Sequence, residues 1–80
     1  MVNIILYKKV ENKERFYQLI INKNLFNQYV LERIYGNTSY SRPVGIVCSI
    51  YEDYFSANKE LIKIFTQQIL LNQYIDNLEN

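Results

Sequence analysis

Apolar and polar residues alternate along this chain with a period that changes once. Residues 2–8 form a short apolar run ending in charge at Lys8, the pattern of a strand. The polar stretch 9–13, with Glu11 and Asn12, reads as a turn. Residues 15–22 are rich in aromatic and β-branched side chains and form a second strand. A connection around Leu25 and Phe26 leads to a third strand over 28–36. Successive strand side chains point to opposite faces. Tyr29, Leu31, Arg33 and Tyr35 therefore share one face, and Val30, Glu32 and Ile34 the other. Neither set is purely apolar, which fits a sheet with one covered and one partly open side. Residues 37–43 are a polar loop, and 44–50 a fourth strand containing Cys48.

Near Asp53 the period becomes helical. Tyr54, Phe55, Asn58, Leu61, Ile62, Phe65 and Ile69 recur at helical spacing as one stripe. Asp53 is the expected N-cap, and Ser49 with Glu52 forms an alternative, earlier capping box. The helix should run to about residue 71 and close over 72–74, with 76–80 frayed. Strands followed by a single amphipathic helix imply an α+β fold, an antiparallel sheet of four or more strands with one C-terminal helix packed across it. Residues 1–80 make one domain at most, with no repeat, linker or low-complexity tract.

Composition narrows the chemistry. Apolar residues make up 49% of the chain, too many for a disordered tail. Cys48 is the only cysteine, so no internal disulfide can form, and mid-strand it is expected to be a small buried residue. There is no histidine. A transition-metal site, the usual neutral-pH general base and the Ser-His and Cys-His nucleophile pairs all lack their parts. The adjacent acidic pair Glu52–Asp53 reads as a helix start. We therefore expect no enzymatic activity, no cofactor and no metal. No segment approaches the ~18 apolar residues that span a bilayer. The N-terminal run carries its charge after the apolar residues, the wrong order for a signal peptide. The expected location is the cytoplasm, away from membranes.

Charge is asymmetric. Residues 1–42 carry seven cations against three carboxylates, a net of +4, whereas 43–80 carry two against five, a net of −3. A basic half can attract phosphate, although so few charges give weak non-specific affinity and also suit an ordinary solvated surface.

The order of segments resembles the WGR-domain family. It begins with a short strand and then Arg15-Phe16-Tyr17-Gln18-Leu19. Leu25-Phe26 follows, then a strand ending in Tyr35-Gly36-Asn37, and finally a helix closed at Tyr74. The likeness covers residues 6–74. Tyr35 stands where the family has Trp, Gly36 is retained, and Asn37 replaces the Arg. Ser39 replaces the family's second glycine, and Ile69-Leu70-Leu71-Asn72-Gln73 replaces a basic helix end. The resemblance implies the α+β fold described above and binding of DNA or RNA by the Tyr-Gly-Asn strand end and its loop. The aromatic would stack on a sugar or terminal base.

The candidate nucleic-acid-binding residues are accordingly Arg33, Tyr35, Gly36, Asn37, Tyr40 and Arg42. Five of them have a plainer alternative. Tyr35 can be a half-buried sheet aromatic. Gly36 can serve backbone geometry and Asn37 a turn. Arg33 and Arg42 can be ordinary surface cations. Tyr40 is the most prominent loop aromatic. A second class of function comes from the helix. Ile64, Leu70 and Leu71 fall outside the main stripe and would be exposed, marking a partner protein or a homodimer contact.

Overall fold

A computed structural model of the chain describes residues 2–76. Five strands and one helix follow in the order β1 (Val2–Val10), β2 (Lys13–Lys23), β3 (Tyr29–Asn37), β4 (Gly45–Tyr51), α1 (Tyr54–Leu70) and β5 (Ile75–Asp76). They form one sheet in the order β4-β3-β2-β1-β5. Every pairing is antiparallel. The fold is thus the expected α+β arrangement of an antiparallel sheet with one C-terminal helix.

Turn chemistry sets the register. Val10 pairs with Lys13, so only Glu11 and Asn12 turn the first hairpin. Both take positive φ, 51° and 69°, as a tight two-residue hairpin turn requires. The second turn is organised by Asn24, whose side-chain oxygen accepts the N–H groups of Phe26 and Gln28, each at 2.9 Å. It closes with Asn27 at φ 64° and leaves Leu25 and Phe26 pointing into solvent.

The two registers place Leu6, Tyr17, Tyr35 and Gly45 in one row across the sheet. Ile4, Leu19, Arg33 and Val47 form the next row, and Val2, Ile21, Leu31 and Ser49 a third. These rows share the face that the helix covers. Leu6, Tyr17, Leu19, Ile21 and Leu31 meet Ala57, Leu61 and Ile64 of α1 and Tyr74 in the core. The helix begins beside Tyr29, where Tyr54 meets the ring edge-on at 5.7 Å, and the chain after it returns Tyr74 to Tyr17 at the opposite end of the sheet. Asp53 caps the helix, accepting the Ser56 N–H at 2.8 Å, and Ser49 takes no part in the cap.

Four expectations are corrected here. Fraying from residue 76 fails at Asp76, which pairs with Leu6 in β5, while 77–80 lie outside the described residues. Ile64 is 4% exposed and lies in the core rather than on an outer surface. The buried helix stripe runs through Ala57, Leu61 and Ile64; the stripe read from sequence shares Leu61 with it and packs Phe65 and Ile69 against the core, but turns Phe55 and Ile62 to solvent. Cys48 is exposed, because the odd-numbered residues of β4 face the helix and the even-numbered ones face the open side.

Candidate nucleic-acid interface

β3 leaves the sheet through Tyr35-Gly36-Asn37, and alternation sends these three residues to different tasks. Tyr35 lies on the helix side. Its ring stacks on that of Tyr17, with centroids 5.5 Å apart and planes 11° from parallel. On its other side it occupies the space over Gly45, where any Cβ would collide with the ring. Gly36 points to the opposite face. Its φ is not positive, so its conformation is open to any residue. It is small because a Cβ would sit 2.8 Å from the Val44 backbone nitrogen. Asn37 is buried, and its side-chain oxygen accepts the backbone N–H of Ser39 at 3.0 Å and the Ser39 hydroxyl at 2.8 Å. Its carbonyl accepts the Tyr40 N–H at 3.1 Å. Asn37 thus shapes the loop from inside.

The loop returns through Val44, whose N–H donates to the Tyr35 carbonyl at 2.8 Å. Between these anchors Tyr40 and Arg42 are exposed. Arg33 is half-buried on the helix side, one row from Tyr35 and opposite Leu19 and Val47. Of the six candidates, then, Arg33 and Tyr35 share a surface. Tyr40 and Arg42 stand on the adjoining loop, and Gly36 and Asn37 serve the backbone.

Pairing adds residues that the linear motif does not contain. Lys8 and Arg15 are partners across β1 and β2, and Arg15 is in turn the partner of Asn37. By alternation both lie on the helix side at the Tyr35 end, whereas Glu14 and Glu32 point to the open face. Tyr74 packs edge-on against Tyr17 at 5.7 Å. Lys8 Nζ lies 4.8 Å from the Tyr74 ring centre and donates to the Asn72 carbonyl at 3.0 Å. Burial raises the Tyr74 hydroxyl above the usual tyrosine value, the Arg15 charge partly opposes this, and Tyr17 adds to it. The result is a row of three tyrosines with Lys8, Arg15 and Arg33 along it. The signal for Arg15 and Tyr17 was present in the alternation of 15–22, but joining them to Tyr35 needed the β2–β3 register.

Two candidates for partner binding, Leu70 and Leu71, are exposed at the end of the helix. Among the described residues no group of three or more Cys, Asp or Glu side chains is placed to hold a metal ion. No helix among them is long and apolar enough to cross a membrane. Compared with protein-family models, with curated proteins and with solved structures, the chain has no match.

Proposed function

We propose that this chain is a non-catalytic binding domain of the cytoplasm that takes single-stranded or terminal nucleic acid on its helix-side surface at the Tyr35 end. The observation that carries this reading is the half-buried Tyr35 ring stacked on Tyr17, with Arg33 and Arg15 beside it on the same face. Held between a neighbouring ring and the bare backbone of Gly45, the Tyr35 ring forms a rigid platform that offers its edge and hydroxyl, while the exposed Tyr40 ring on the adjoining loop offers a face for stacking. Stacking is tolerant of base identity because every base has a π-face. Guanidinium groups next to such a platform suit phosphate oxygens. The resemblance to WGR domains points the same way, with Tyr35 in the role of the family's Trp.

The test is fluorescence anisotropy with a short labelled single strand over a range of salt. Binding at low salt is expected, with a log–log slope of about −0.7 for each phosphate contact. The double variant Arg15→Gln, Arg33→Gln should flatten that slope without lowering the melting temperature. Absence of binding at low salt overturns the reading.

A second reading rests on Leu70 and Leu71, two large apolar side chains left in solvent where the helix ends. Exposed apolar pairs of this kind mark protein contacts. If they serve a partner protein, Leu70→Ser with Leu71→Ser leaves nucleic-acid binding unchanged and raises solubility.

A further inference from the structure

We propose that β4 pairs with β4 of a second copy of this chain, antiparallel, with Cys48 opposite Cys48, joining two sheets into one. Among the described residues nothing protects the β4 edge. Strand edges expose unpaired N–H and C=O groups, and chains usually guard them with charge, proline or brevity. β4 is seven residues long, Gly45-Ile46-Val47-Cys48-Ser49-Ile50-Tyr51, with no charge and no proline. At the other side of the sheet, the β1 edge is covered by β5 along Leu6 and Tyr7, and Lys8 and Lys9 follow.

The direction of the free backbone groups follows from the ladder. Thr38 N–H donates to the Glu14 carbonyl at 3.0 Å, one step beyond the Arg15–Asn37 pair. Antiparallel hydrogen-bonded and non-hydrogen-bonded pairs alternate. The even-numbered residues of β3 therefore bond to β2 and the odd-numbered ones to β4. In the register of Arg33 with Val47 and Leu31 with Ser49, the groups of β4 turned toward β3 belong to its odd-numbered residues. Those of Ile46, Cys48 and Ile50 point away from the sheet, evenly spaced about Cys48.

A second copy suits this edge better than any other strand. Antiparallel pairing of a strand with itself closes about a two-fold axis, whereas parallel pairing does not. The axis at Cys48 is the one register that uses all seven residues. It sets Ile46 against Ile50 of the partner subunit twice over. These side chains are 60% and 58% exposed in the single chain, and paired they cover each other. Charge also matches. Beyond the seven paired residues, the chain entering β4 lies on the side of the partner's Glu52 and the partner's Asp53. The exposed Arg42 at one end of each strand thus lies beside the exposed acidic pair at the other end of its mate.

Cys48 provides the test, because it is the only cysteine. Directly opposed residues in a hydrogen-bonded antiparallel pair have Cα atoms about 5.5 Å apart, within the range of about 4.4–6.8 Å that a disulfide spans. Mild oxidation should convert the protein to a covalent dimer. The register is tested by moving the thiol. Ile46→Cys with Cys48→Ser, and Ile50→Cys with Cys48→Ser, should each cross-link poorly alone and efficiently when mixed. Sedimentation equilibrium should show a reversible dimer, and Cys48→Lys should shift it to monomer with an unchanged circular dichroism spectrum. A wild-type monomer at every concentration up to the solubility limit overturns the proposal. So does a dimer in which the mixed pair cross-links no better than each variant alone.

Discussion

Gly45 shows how one residue's absence of a side chain can fix another's position. The Tyr35 ring fills the space that a Cβ at 45 would need, so Gly45→Ala forces the ring off its stack on Tyr17. Overpacking of this kind costs about 1–3 kcal/mol. In a Tyr35→Ala background the same change should cost little, so a double-mutant cycle by thermal melts should show strong coupling. Equal costs in both backgrounds would remove the ring–glycine argument. Tyr74 makes a different forecast. Its hydroxyl is held above the ordinary value of 10.0, chiefly by burial, so the folded chain keeps a proton that the unfolded chain releases. That contribution is complete below about pH 10 and is lost as pH rises from there through the folded-state value. Melting temperature measured from pH 8 upward should fall less steeply for Tyr74→Phe than for the wild type.

At the scale of elements, the helix separates what the sequence made legible from what it hid. Its start was readable. Asp53 accepts the Ser56 N–H, so Asp53→Ala should cost about 1 kcal/mol by chemical denaturation, and Ser49→Ala should leave the helix start unaffected. Its phase was readable only in part, through Leu61, Phe65 and Ile69, because large apolar side chains surround it. Phe55, Ile62, Leu70 and Leu71 are exposed, while the small Ala57 is fully buried where the helix approaches the sheet. Periodicity weighted by side-chain size turns the stripe toward Phe55 and Ile62 and away from Ile64. β4 misleads for a related reason. Both of its faces are apolar, so Cys48 read as buried when it lies on the open side. β5 is two residues long and gives no pattern of its own. The candidate site divides in the same way. Tyr35 and Arg33 were legible from alternation along one strand. The internal duty of Asn37 and the neighbourhood of Tyr17 and Arg15 depend on loop closure and register, which pattern alone does not supply.

At the scale of the whole molecule the two proposed surfaces have a geometric consequence for each other. Directly opposed residues of an antiparallel pair point to the same side of the sheet. The two-fold axis at Cys48 would therefore keep both helices, and both Tyr35 platforms, on one face. Tyr35 pairs with Gly45 at one end of β4, and the partner's platform would stand at the other end of the joined edge. Three strand spacings across and six residues along give a separation of about 25 Å. A strand long enough to cross that gap would engage two platforms, the second at a high effective concentration, whereas a shorter one would engage a single platform. The expected result is a length-dependent effect of Cys48→Lys. The monomeric variant should match the wild type on a strand too short to bridge, because Cys48 is on the opposite face from Tyr35. On a long strand it should bind about a hundredfold more weakly, the lower end of the range that linked sites gain. Titration of both ligands against both proteins by anisotropy gives four affinities. If the wild-type advantage is the same for short and long strands, the two platforms do not act together on one face.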